Sequence, residues 1–112
     1  MALVVFRSKA AAEIYMFAET AHRLLRIVGK TESERGVIRA DEVPDALGRL
    51  AGEVEQEKAQ LLQQRAQREV EERAGQAHGG ELPPITLGQR AFPLIEMLRA
   101  AQRKGVDVTW GV

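Results

Sequence analysis

ALVVFR, residues 2–7, is the stretch whose reading decides the fold. Leu3, Val4, Val5 and Phe6 are branched or aromatic, the side chains that favour a pleated and buried backbone. The run is continuous rather than alternating, so it predicts a strand covered on both faces, by helices or by another subunit. At the other end of the sequence Val106, Val108 and Trp110 alternate with Asp107 and Thr109, the period-two pattern of a strand with one buried face. These two strands are expected to pair. A two-stranded sheet is marginal by itself, so the pairing requires helices packed on it, a third strand near Val37, or the same strands from a second copy.

Between them the periodicity is helical. Ser8 reads as the N-cap of a helix reaching to about Val28, with Ile14, Phe17, Ala21, Leu24, Leu25 and Val28 at spacings of three and four and Gly29 as a left-handed stop. Lys30 to Gly36 is a polar connector in which Thr31 and Glu34 have capping-box spacing. Val37 and Ile38 suit a brief extended segment. Asp41 then caps a second helix that tolerates Pro44 in its first turn and buries Val43, Leu47, Leu50 and Val54. Beyond Val54 the sequence is rich in Glu, Gln and Arg, so this helix runs on half solvated, supported weakly by pairs such as Glu69 with Arg73. Residues 75–84 hold three glycines, two prolines and His78 and read as a flexible linker. A third helix follows, with a Thr86/Gln89 capping box, an apolar face of Leu87, Ala91, Leu94, Ile95 and Leu98, and a stop at Gly105. Pro93 within it implies a kink or a junction of two pieces. The result is one α+β domain over residues 1–112, a small sheet of the N- and C-terminal strands packed against about three helices.

Composition narrows the function classes. The chain has 112 residues, 45% hydrophobic and 29% charged, with 16 basic side chains against 16 acidic. That balance argues against a protein held mainly by nucleic-acid phosphates. Without cysteine there is no disulfide, thiolate metal site or thiol nucleophile, which accords with a reducing cytoplasmic setting. The apolar opening is interrupted by Arg7 and Lys9 and is too short for a signal-peptide core or a membrane span.

The segments LVVFRSKAAAEIYMF, RLLRIVGKTESERGVIRADEVPDALGRL and LGQRAFPLIEMLRAAQRKGVDVTWG together resemble a proteobacterial family of small proteins known as domain of unknown function 1840. The likeness covers roughly residues 2–55 and 85–112, and the Gln-rich helix and linker between them look like its variable part. The resemblance implies a bacterial cytosolic protein and a complete chain. It carries over no activity, cofactor or site residue.

No motif spells out chemistry. Gly29, Lys30 and Thr31 match the end of a phosphate-binding loop, but Leu24 stands where that motif needs glycine, and the tripeptide follows a helix instead of opening one. His22 and His78 lack partners at metal-ligand spacing, so neither metal nor cofactor is implied. Glu53 with Glu57, and Asp41 with Glu42, read as solvated or helix-dipole carboxylates rather than a catalytic pair. Arg23, Arg26, Lys30, Arg35 and Arg39 form a candidate basic patch diluted by Glu32 and Glu34. Arg90, Arg99, Asp107 and Trp110 are the candidate ligand-binding residues, at a cleft beside the last strand. Packing accounts equally well for Trp110, and an ion pair for Arg90 with Asp107. The leading expectation is a non-enzymatic, self-associating interaction protein whose polar second helix projects toward a partner. The alternative is a small-molecule binding module, and no catalytic residue is assigned.

Overall fold

The computed structural model describes residues 2–30, 35–73 and 86–111, without the side chains of 69–73. Seven elements follow in order: β1 Leu3–Ser8, β2 Ala11–Phe17, α1 Ala18–Ile27, β3 Gly36–Ile38, α2 Val43–Arg73, α3 Leu87–Lys104 and β4 Val108–Trp110. They build an α+β fold around one antiparallel four-stranded sheet of order β2-β1-β4-β3. The terminal strands do pair, Phe6 opposite Trp110 and Arg7 opposite Thr109. The extended segment at Val37 and Ile38 supplies β3, which pairs with the other side of β4.

The helix read from Ser8 begins only at Ala18, and residues 11–17 form β2, the second arm of a hairpin with β1. AAEIYMF satisfies both periods: Ile14, Phe17 and Ala21 fit a helix face, while Ile14 and Met16 alternate with Glu13, Tyr15 and Phe17 as in a strand. Pairing with the apolar β1 decides between them, a case of tertiary context overriding local preference. Ser8 is a turn residue rather than a helix cap. Its hydroxyl accepts from the Ala10 amide at 3.2 Å and donates to the Asp107 carbonyl at 2.9 Å. The turn through Lys9 and Ala10 has no positive-φ residue, and the register shifts between Phe6 and Ser8, a bulge that lets this turn join two twisted strands.

α1 and α3 pack on one face of the sheet, and α2 packs against them. Phe6, Ile38, Val108 and Trp110 point into that layer and are buried with Ala21, Leu24, Leu25 and Val28 of the α1 segment. Val43, Leu50 and Val54 of α2 and Leu87, Ala91, Leu94, Ile95, Met97 and Leu98 of α3 complete the core. Phe6 and Trp110 meet across their strands with ring centroids 6.3 Å apart, tilted by 42°. The indole also lies over Gly36, where a Cβ would overlap it. The helix stops are as the sequence predicts, with φ of 88° at Gly29 and 65° at Gly105. So is the α3 capping box: Thr86 Oγ1 accepts from Gln89 N at 3.1 Å, and Gln89 Oε1 from Thr86 N at 2.9 Å. Glu57 Oε1 on α2 takes the Leu87 amide at 2.7 Å, so a carboxylate from the neighbouring helix satisfies another free donor of that first turn.

α3 runs unbroken through Pro93, whose ring faces solvent. Before α2, Arg39 rather than Asp41 starts the helical turn. Glu42 N and Val43 N both donate to its carbonyl, and Glu42 Oε1 accepts from its amide. α2 has 31 residues, about 46 Å at the α-helical rise, and accounts for most of the molecule's 54 Å length. Its residues after Glu57 are exposed as far as their side chains are described, apart from the half-buried Leu61. The 75–84 linker and the Thr31/Glu34 capping box fall outside the described residues.

Candidate functional site

Among the described residues no element covers the face of the sheet turned away from the helices, so the helices supply one of the two covers expected for β1 and the other would have to come from another subunit. Alternation puts Leu3, Val5 and Arg7 of β1 on this side, with Glu13, Tyr15 and Phe17 of β2, Thr109 of β4 and Val37 of β3. Leu3 is 57% exposed, Tyr15 63% and Phe17 56%. Val5 lies opposite Tyr15 and Leu3 opposite Phe17, so four apolar side chains form two adjacent cross-strand rows. Toward the hairpin turn the same face becomes polar. Arg7 Nε is 3.4 Å from Glu13 Oε1, and the Tyr15 hydroxyl donates to Glu13 Oε2 at 3.0 Å. That hydrogen bond, followed by the charge of Glu13, holds the Tyr15 phenol above the usual tyrosine range. An apolar patch with a polar rim is the composition of a contact surface.

The candidate ligand residues do not converge. Arg90 donates from Nη1 to Thr20 Oγ1 at 3.1 Å and borders a cleft of about 300 Å³ with Glu19, Arg23, Leu24 and Leu87. Arg99 pairs with Glu96 at 3.0 Å and borders a groove of about 570 Å³ between α2 and α3, beside the exposed Phe92. Asp107 lines a third depression, about 760 Å³, with Arg7, Ser8, Lys9 and Glu13. It ties three segments together, since its Oδ1 accepts from the Ala40 amide at 2.7 Å and its carbonyl from Ser8. Trp110 is in the core. Arg90 and Asp107 thus each have a different partner.

The basic patch is neutralised where it meets α2. Glu42 receives Lys30 Nζ on Oε2 at 2.7 Å and stands 3.5 Å from Arg39 Nε. The Lys30 hydrogen bond, then that from the Arg39 amide, keeps the Glu42 carboxyl below the usual carboxylate range. Glu42 therefore serves the helix start and an ion pair. His22 is half-buried on α1, and His78 lies outside the described residues. Among the described residues no group of three or more His, Asp or Glu is placed to hold a metal, and no helix is long and apolar enough to cross a membrane.

The outer sheet face is hidden in the sequence because the 11–17 segment also fits a helical period, which assigns Phe17 to the core. The alternation of Glu13, Tyr15 and Phe17 against Ile14 and Met16 was the signal that could have found it.

Fold and surface together define a class: an α+β domain with helices on one side of its sheet, an apolar outer sheet face that no described residue covers, and a long helix whose outer half is solvated. The chain belongs to the family described as Domain of unknown function (DUF1840), whose model matches residues 2–110. No curated protein and no solved structure matches it.

Proposed function

We propose that this chain is a small bacterial cytosolic interaction protein without catalytic activity, working as a homodimer and offering the outer half of α2 to a further partner. The observation that carries the reading is the sheet face that no described residue covers, with Leu3, Tyr15 and Phe17 exposed on it. A continuous apolar strand calls for cover on both sides, and the helices supply only one. The outer half of α2 supports the second part. Its 58–68 stretch is polar apart from Leu61, Leu62 and two alanines, with Leu62 64% exposed. A helix solvated all round gains little from its own chain and suits contact with another. Light scattering on the eluting protein at high micromolar concentration should give twice the mass of the chain. A single-chain mass across that range removes the homodimer.

A second reading, a small-molecule binding module, is favoured by the Arg90–Thr20 hydrogen bond at a cleft that Arg23 also borders. Two guanidinium groups on the rim of one cleft suit a small organic anion. Thermal-shift screening against carboxylates and phosphates discriminates: a saturable rise in melting temperature, lost in Arg90→Ala, supports the cleft, and no rise at any concentration removes it.

A further inference from the structure

The outer face of the hairpin is built of three cross-strand rows with unlike members. Leu3 faces Phe17, Val5 faces Tyr15, and Arg7 is paired with Glu13. With one positive and one negative charge, this face presents a like charge to any uniformly charged partner, whatever its sign. A surface bearing the same rows in reversed lateral order is complementary to it throughout. A second copy of the chain is such a surface when turned about a two-fold axis running along the strands, between β1 and β2, because that operation lays each β1 over the partner's β2.

Area agrees with this occupant. An aromatic side chain offers about 150–250 Å². At the exposures of Leu3, Tyr15 and Phe17, the patch leaves on the order of 350 Å² of apolar surface per copy. A specific interface at the small end of the range buries about 600 Å² on each partner, roughly 60% of it apolar, which is on the order of 360 Å². The patch supplies that apolar share, and Arg7, Glu13 and Thr109 supply polar surface around it.

Resting on the self-association reading, we infer that the outer face of β1 and β2 is the dimer interface and that a second copy closes it about this axis. Tyr15 and Phe17 of one copy lie over the partner's Val5 and the partner's Leu3, and Arg7 faces the partner's Glu13. The two sheets stack about 10 Å apart with nearly aligned strands, giving four layers with helices outermost.

Sedimentation equilibrium on the full chain tests this. Tyr15→Asp and Phe17→Asp should each weaken dimerisation by about tenfold or more, since each sets a charge in the buried centre. Leu62→Asp and Phe92→Asp, at exposed apolar positions elsewhere, should leave it unchanged. Arg7→Glu alone and Glu13→Arg alone set like charges against each other and should each dissociate. Mixed together in equal amounts they should form a heterodimer, because one face is then wholly acidic and the other wholly basic. Circular dichroism checks each variant's folding, and if an aspartate variant fails to fold, the two charge variants decide. A wild-type chain that stays monomeric at every concentration removes both this interface and the self-association reading. A wild-type dimer unaffected by Tyr15→Asp and Phe17→Asp retains self-association and overturns this interface. A mixture of the charge variants that associates no better than either alone overturns the placement of the axis.

Discussion

Gly36 sits on β3 directly beneath the indole of Trp110, and its missing side chain is the room the ring occupies. Its value lies in the close approach, since its φ is not in the left-handed region. Gly36→Ala pushes a methyl into a fully packed ring and should lower stability by about 1–3 kcal/mol, measured by urea unfolding. Trp110→Ala fails in the opposite sense, leaving a cavity where Phe6 and Gly36 now meet the indole, and should cost about 3–5 kcal/mol. The burial of Trp110 was legible from alternation in the last strand. Its glycine counterpart was not, because which residue meets the ring depends on strand order, and strand order is not a local property of sequence.

At the scale of elements, the start of α2 depends on Glu42, which joins Lys30 to the Arg39 amide. Its carboxyl is held below the usual range in the folded protein and returns to that range on unfolding. The unfolded chain therefore takes up this proton first as pH falls. The contribution of Glu42 is complete above the ordinary carboxylate pKa and disappears as pH drops through its lower folded value. Glu42→Gln should be less stable than wild type at neutral pH, and the two urea midpoints should converge in acid. The helices themselves were largely readable: the Thr86/Gln89 box, the stops at Gly29 and Gly105, and the α3 stripe appear where spacing puts them. The hairpin was not. Its turn, Lys9–Ala10, carries none of the Gly, Asn or Asp that usually mark a reversal, and Ala11 and Ala12 are good helix formers.

For the whole molecule, the α+β class followed from two apolar ends that needed each other, while the lopsided layering did not. Whether helices lie on one side of a sheet or both depends on the direction in which each connection leaves its strand, and hydrophobic patterning leaves that open. The candidate site fared worse for a related reason. Arg90, Arg99 and Asp107 lie within one C-terminal stretch of sequence, yet a helix, its stop and a strand distribute them among three depressions. The apolar side chains that the structure exposes side by side, Leu3, Tyr15 and Phe17, come instead from the N-terminal hairpin. Dimerisation through it would hold two α2 helices in one particle, so a partner with paired binding sites would gain from their effective concentration.

β4 lies between β1 and β3, so the latest strand in the sequence is the one that joins the two halves of the sheet. During synthesis the hairpin can close early, but its inner edge stays open until residues 108–110 have emerged from the ribosome. A nascent chain halted before them exposes the unpaired edge of β1 to any neighbour, which is the situation in which chaperones intervene.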